Sequence, residues 1–402
     1  MREPPTPPPV DAERRGRLTA WMAEAGLSAV LSRDPATVLL LSGLSPVLGG
    51  TVAVLTREGE LFASAPGNEP PERVREPDAD LRPGGNDPNE ALAHLLERAG
   101  GRLHGGRVGV VGSSANAAPA GVAAEAGVLP PGRGFLFGLV EGLGGVPVDA
   151  SAGVRRQMLL KTPAEVERIG AAQAVASAAV DAFSAGVGRA AAGEPLTEAR
   201  LAGEVEAAAR ACSGRGGVAD ARAWAWVQAG ENAPLAGTVS RAGGGPVRGF
   251  AVLELAVCAD GFWADLTRTA VVGGADGPRA GLLDAVRAAH AAAVDALRPG
   301  VPHAAVHAAA RDALAAAGLA DAFPHATGHP TGFRYHDAGP ALDAGSEAPV
   351  EAGMVLTVEP GVYGRDLPAA GFAGPFGCRH EENYLVTDSG CRRLSTAAAT
   401  DA

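Results

Sequence analysis

Residues 250–272 leave this chain few options. Ala251-Val252-Leu253-Glu254-Leu255-Ala256-Val257 is apolar at both parities except for Glu254, the pattern of a strand buried on both faces. Ala259-Asp260-Gly261 follows as a tight turn, and Phe262-Trp263-Ala264-Asp265-Leu266-Thr267 returns as the second strand of a hairpin. If the loop is Ala259-Asp260, Glu254 faces Asp265 directly; if it is Asp260-Gly261, the two are diagonal neighbours. Either register puts both carboxylates on one face. Like charges that close are unfavourable unless a cation or a proton lies between them, so the hairpin asks for a divalent metal. The competing reading, Glu254 on an edge strand pointing to solvent, sits badly with its apolar neighbours.

A second stretch supplies nitrogen ligands. Three of the nine histidines fall within residues 325–336, His325-Ala326-Thr327-Gly328-His329-Pro330-Thr331-Gly332-Phe333-Arg334-Tyr335-His336. Glycine and proline exclude a helix there, so the imidazoles sit on a loop or irregular strand that can aim several at one cavity. Glu359 ends the strand-like Met354-Val355-Leu356-Thr357-Val358 just before the turn Pro360-Gly361. In Arg379-His380-Glu381-Glu382, strand alternation puts Arg379 and Glu381 on one face and His380 and Glu382 on the other, which favours Glu381 as the ligand. Carboxylates with one histidine form a hard, oxygen-rich donor set suited to Mn²⁺, Fe²⁺, Co²⁺ or Zn²⁺.

Around these motifs the 402 residues, 47% of them hydrophobic, are enough for two or three packed domains. Residues 1–10 are proline-rich and read as a disordered tail, with neither a signal peptide nor a membrane span. Residues 11–150 read as an α/β domain. It opens with a helix stopped at Gly26, and short apolar runs follow at residues 29–31, 38–41, 51–55 and 108–111, the last after a helix over 89–99. No titratable cluster in this domain calls for chemistry, so it reads as a scaffold or subunit contact. Residues 151–161 read as a linker. Thr162-Pro163-Ala164-Glu165 is a capping box that opens a second domain, residues 162–398, with further helices over 197–212, 281–297 and 304–317 and a strand over 224–230. The net charge of −11, from 34 basic and 45 acidic residues with no basic run, argues against nucleic acid and anionic membranes. Cys212, Cys258, Cys378 and Cys391 show no metal or disulfide spacing and point to a reducing, cytoplasmic setting.

Taken in order, these motifs resemble the pita-bread metallopeptidase family that contains aminopeptidase P, prolidase, methionine aminopeptidase and creatinase. The resemblance covers nearly the whole chain. Residues 17–43 are similar to the opening of the creatinase-type amino-terminal domain, and residues 155–168 to the family's helix entry. Asp265-Leu266-Thr267-Arg268-Thr269, residues 325–336, Gly353-Met354-Val355-Leu356-Thr357-Val358-Glu359-Pro360-Gly361 and Arg379-His380-Glu381 follow its metal-site motifs. The resemblance implies an α/β (α+β) fold, with a creatinase-type α/β domain followed by a pita-bread catalytic domain, and a homodimer. It implies one or two divalent ions: Asp265 and Glu381 bridging, His329 and Glu359 completing the first site, Glu254 serving the second. His325 and His336 would line the substrate side, with His336 placed to stabilise an oxyanion, Glu359 to handle the proton and Arg379 to orient Glu381 or a substrate carboxylate.

Two departures modify that expectation. The family's first ligand is aspartate, followed two residues later by glycine; here Glu254 and Ala256 stand in those places. The added methylene moves the carboxylate by about 1.5 Å. The family's catalytic histidine, counted from Gly230-Glu231-Asn232, falls near Gly237, and no histidine occurs between His104 and His290. The expected function is a metal-dependent hydrolase of the Xaa-Pro aminopeptidase or prolidase kind, acting on a short peptide through a metal-activated water, with a strong first metal position, a weak or absent second one and poor turnover of ordinary X-Pro peptides. Two alternatives rank below it. One is a relative acting on a non-peptide small molecule, by creatinase-like C–N hydrolysis or chemistry at a single redox metal; the other is a binding module that has lost catalysis.

Overall fold

The structure, a computed structural model, describes residues 11–45, 51–66, 80–84, 88–111, 133–237, 244–367 and 372–397. The tail expected at residues 1–10 lies outside them. The chain divides into two compact units, Met1–Glu165 and Val166–Ala402.

In the first unit, α1 (Ala12–Glu24), α2 (Pro35–Ser42), α3 (Pro88–Leu103), α4 (Arg133–Gly142) and α5 (Ser151–Leu159) accompany a six-stranded mixed sheet. Its strands are β1 (Ala29–Ser32), β2 (Val52–Thr56), β3 (Leu61–Pro66), β4 (Asp80–Gly84), β5 (Arg107–Val111) and β6 (Val146–Asp149), in the order β4-β3-β2-β1-β5-β6. Two expectations need correction. The apolar run at residues 38–41 is helical, because the Asp34 carboxylate caps Thr37 N–H at 2.9 Å, Pro35 opens the first turn and Gly43 closes the helix with φ +73°. A short run buried on all sides carries no periodicity, and its flanks decide the outcome. Residues 151–159, read as a linker, form α5, and the contacts divide the chain a few residues later.

The second unit carries the motifs. Helices α6 (Pro163–Ala191) and α7 (Glu198–Arg210) pack against one face of an antiparallel sheet, β7 (Ala221–Ala229), β8 (Phe250–Ala259) and β9 (Phe262–Val271), with β8 in the centre. The hairpin closes through Asp260-Gly261, both at positive φ (47° and 88°), as a two-residue turn of that twist requires. The Asp260 carboxylate accepts the N–H groups of Ala219 and Asp220, each at 2.9 Å, which ties the turn to β7. Glu254 therefore pairs with Thr267, and Ala256 with Asp265, so Glu254 and Asp265 are diagonal neighbours. Leu253, Leu255, Val257, Ala264 and Leu266 line the core against the helices, while Glu254, Asp265 and Thr267 occupy the opposite face.

After α8 (Gly277–Ala296) and α9 (His303–Ala316), the histidine stretch runs beside β10 (Val355–Val358) as an irregular strand. Pro330 bridges Leu356, and Glu359 N–H reaches Thr327 O at 2.7 Å. Gly328 is required there, since a Cβ would lie 2.0 Å from Thr357 O. Strands β11 (Gly361–Leu367) and β12 (Phe372–Arg379) form a two-stranded ribbon, and β10, β13 (Glu382–Val386) and β14 (Cys391–Arg393) a three-stranded sheet. The strand expected to pass straight through Glu381 instead breaks between Arg379 and Glu382, where Glu381 N–H turns to Thr267 O at 3.2 Å.

Arg268 and Glu382 show how the sheet sorts neighbouring charges. Arg268 leaves β9 on the helix-facing side and meets Glu382 at 2.5 Å with both side chains fully buried, and Ser395 Oγ donates to the other carboxylate oxygen. Asn383 accepts Asp265 N–H at 3.2 Å and donates to Asp265 O at 2.6 Å, joining β13 to the strand that bears Asp265. Removing one member of a buried pair strands the other, so Glu382→Ala is expected to destabilise the protein by about 3–5 kcal/mol, read by urea unfolding. A loss below about 1 kcal/mol, the range of an exposed pair, would contradict this account.

Candidate metal centre

Asp265, His329, His336, Glu359, Glu381 and Glu254 converge on one cavity of the second unit. Ligand atoms lie within 4.8 Å of one another in three overlapping sets: Asp265-His329-His336, His329-Glu359-Glu381 and Glu254-Asp265-Glu381. His325 belongs to none of these sets. Its Nε2 is 3.0 Å from Tyr363 Oη, and Tyr363 is in turn 3.3 Å from Arg379 Nη1, so it joins the site at one remove.

His329 fixes the polarity of the cavity. Its Nδ1 lies 3.1 Å from Pro330 O, a contact that holds the ring proton on Nδ1. Nε2 then presents a lone pair to Asp265 Oδ2 at 3.4 Å and Glu359 Oε1 at 3.5 Å. Burial pushes the His329 pKa down to about 4, so the imidazole is neutral at pH 7. Burial, with His329 beside it, pushes His336 to about 2, and the two rings lie 3.6 Å apart between centroids. A neutral nitrogen facing two carboxylate oxygens is repulsive in all its parts unless a cation or a proton sits among them.

The carboxylates state the same requirement. Burial, then the charges of Glu381 and Glu359, raise Asp265 well above the usual carboxylate range; burial and Glu381 do the same to Glu359. Burial raises Glu381 too, against the opposing pull of Arg379. Asp265 Oδ1 and Glu381 Oε1 are buried and accept no hydrogen bond. Buried polar atoms without partners are rare, and two on adjoining carboxylates mark the place of an ion. Asp265, His329, Glu359 and Glu381 therefore fit a divalent cation.

Glu254 differs. Its Oε1 accepts from Tyr335 Oη at 2.5 Å, and its Oε2 accepts from Thr267 Oγ1 at 2.8 Å and forms an ion pair with Arg379 Nη2. Thr267 Oγ1 also lies 2.7 Å from Glu381 Oε2, and with one hydroxyl hydrogen it serves one of the two carboxylates at a time. Arg379 Nε donates to Thr267 Oγ1 at 2.8 Å, and Nη1 to Ala236 O at 3.1 Å. Ala236 precedes Gly237 at the end of the 3-10 segment Gly230–Gly237, which brings the position of the family histidine beside the site.

Thr267, Tyr335 and Tyr363 were not singled out from the sequence. The available signals were weak: two of the three tyrosines in the chain stand in or just after the motif stretches, and Thr267 is two residues from Asp265.

A family model described as metallopeptidase family M24 matches residues 167–388, more than half of the chain. The chain belongs to metallopeptidase family M24. Among its relatives, the probable dipeptidase PepE of Mycobacterium tuberculosis is 40% identical over 130 residues, 32% of each chain. The Xaa-Pro dipeptidase of Lactobacillus helveticus is 29% identical over 253 residues, 61% of this chain and 62% of its own. The match thus spans about a third of the length of PepE. The crystal structure of the prolidase from Pyrococcus horikoshii OT3 aligns with a TM-score of 0.71 over 97% of this chain and 100% of its own, at 21% identity. That likeness shows the fold, an amino-terminal α/β domain followed by an M24 domain, as the motif order implied. Among the described residues, no helix is long and apolar enough to cross a membrane.

The raised carboxylates of the M24 site give a signed expectation. Without a cation, Asp265, Glu359 and Glu381 retain protons in the folded state that they lose in the unfolded one, so their contribution to stability is present at low pH and lost as pH rises through their folded values. The buried histidines, lowered in the folded state and near 6.5 when unfolded, add an opposite slope around neutrality that dies away above about pH 7.5. The thermal midpoint of metal-free protein should fall as pH rises above about 7.5, where the histidines no longer contribute, and metal-loaded protein should resist that fall. A metal-free midpoint that stays flat or rises would remove the electrostatic case for the cluster.

Proposed function

We propose that this chain is a metal-dependent peptidase that hydrolyses an amide bond next to proline in a short peptide. The observation that carries the proposal is the neutral His329 Nε2 aimed at two buried carboxylates, beside two carboxylate oxygens with no partner. The names of the relatives, an Xaa-Pro dipeptidase among them, support the same substrate class. Asp265, His329, Glu359 and Glu381 hold the ion, and one nitrogen with carboxylate oxygens suits Mn²⁺, Fe²⁺, Co²⁺ or Zn²⁺. When bound, the ion supplies Lewis acidity and lowers the pKa of a water at neutral pH.

The residues of the chain do the rest. Glu359 lies at the mouth of the cluster, its side chain 15% exposed, where it can take a proton from the attacking water and pass it to the leaving amine. His336, neutral and with its ring tilted against that of His329, presents an N–H to charge developing on the carbonyl oxygen. Arg379 holds Thr267, the Ala236 carbonyl and Glu254 through three separate nitrogens and so orients the inner face of the site. His325 acts through Tyr363 on the substrate side. Glycine at position 237 removes one proton-handling group, which typically costs ~10²–10⁴ in rate. The acidic balance of the chain and its four isolated cysteines support a cytoplasmic setting, and the amino-terminal domain supports a homodimer.

Elemental analysis after reconstitution with Mn²⁺, Fe²⁺, Co²⁺ and Zn²⁺ should find bound metal in wild type and little in His329→Ala. The wild type should cleave X-Pro dipeptides or tripeptides slowly and only with metal, and Gly237→His should raise turnover. Equal, near-zero metal in wild type and variant would sink the proposal. Light scattering across a wide concentration range should return the mass of a dimer, and a monomer throughout would contradict the dimer.

A further inference from the structure

A two-ion centre does not fit this chain at its second position, and the obstacle is a tyrosine. Resting on the metal-dependent reading above, we propose that the Tyr335 phenol takes the place of a second ion. The centre then holds one divalent cation, and Glu254 serves as an internal counter-charge to Arg379.

A second ion would draw on Glu254, Asp265 and Glu381, whose ligand oxygens come within 4.8 Å of one another. It would have to lie about 2.0–2.2 Å from each. Tyr335 Oη is already 2.5 Å from Glu254 Oε1 and donates its one hydrogen there. Its oxygen thus stands against Glu254, in the set where Glu254, Asp265 and Glu381 would have to close on the ion. The remaining oxygen of Glu254 is held by Arg379 and Thr267. By contrast, the unpartnered oxygens of the cluster belong to Asp265 and Glu381, which already serve the first ion. The longer arm of glutamate suits this arrangement, because it carries the carboxylate out to the phenol and the guanidinium.

The phenol is built into the scaffold and has little room to swing aside. Tyr335 is 3% exposed, its ring stacked 4.4 Å from His336 and tilted 6.3 Å from Trp263. The turn that presents it is fixed at several points. Trp263 N–H donates to Gly332 O at 2.8 Å, Gly332 adopts φ +135°, Arg334 N–H donates to Asp337 Oδ1 at 2.9 Å, and Thr331 Oγ1 is 3.0 Å from Tyr335 O.

The test loads metal-free full-length protein with excess Mn²⁺, removes free ion, and reads metal per chain by elemental analysis and spin coupling by low-temperature electron paramagnetic resonance. Wild type should hold one Mn²⁺ per chain with the sextet of an isolated ion. Tyr335→Phe, which keeps the ring and deletes the hydroxyl, should tighten binding of a second Mn²⁺ by about tenfold or more. Glu254→Asp combined with Tyr335→Val should bring the content to two per chain with an exchange-coupled multiline signal. Two coupled ions in wild type would overturn the proposal and leave the metal-dependent reading standing; no bound Mn²⁺ in wild type would overturn both. A single ion in wild type with no gain in Tyr335→Phe or in the double variant would show that the phenol is not the obstacle. If the double variant fails to fold, the wild-type spectrum and the Tyr335→Phe titration decide.

Discussion

Mutual repulsion among buried carboxylates is the constraint on which the second unit depends. Asp265, Glu359 and Glu381 are drawn out of water onto one spot, where Glu381 and Glu359 raise the proton affinity of Asp265 and Glu381 raises that of Glu359. Hydrophobic burial alone would never select that arrangement, since isolated buried charge is among the costliest features a core can hold. The sheet tolerates it by keeping the two sides of the hairpin chemically distinct. The helix-facing side of β8 and β9 is hydrocarbon with the buried ion pair Arg268–Glu382, and the other side gathers the two buried carboxylate oxygens that lack a partner among the described residues.

Much of that sorting was legible in the sequence because strand parity is a hard rule. Once Asp260-Gly261 is the turn, Glu254, Asp265 and Thr267 must share a face. Glu381 and Glu382 part in the same way: Glu381 accepts from Thr267 on the site face, and Glu382 meets Arg268 on the helix face, even though the strand between them is broken. The run at residues 38–41 misled because an all-buried segment has no period, and only Asp34, Pro35 and Gly43 mark it as a helix. Tyr335 and Tyr363 escaped for a different reason. Their importance lies in which atom the hydroxyl meets across 81 residues in one case and 38 in the other, and no local pattern encodes that.

Arg379 shows how few groups set the geometry of the inner face. One guanidinium reaches a threonine on β9, a carbonyl at the end of the Gly230–Gly237 segment, a tyrosine on β11 and the carboxylate of Glu254 on β8. A lysine could satisfy only part of this fan, because a single ammonium cannot place three nitrogens in fixed, coplanar directions.

The ligands are also spread along the chain in a way that matters for biosynthesis. Glu254 and Asp265 leave the ribosome early, the histidine stretch follows, and Glu381 comes more than a hundred residues after Asp265. Until β12 and β13 emerge and dock on β9, Asp265 has neither its Asn383 clasp nor its carboxylate partner. Contacts of such long sequence separation form late. Assembly of the carboxylate cluster is therefore a final step, reached by the completed domain and closed to the nascent one.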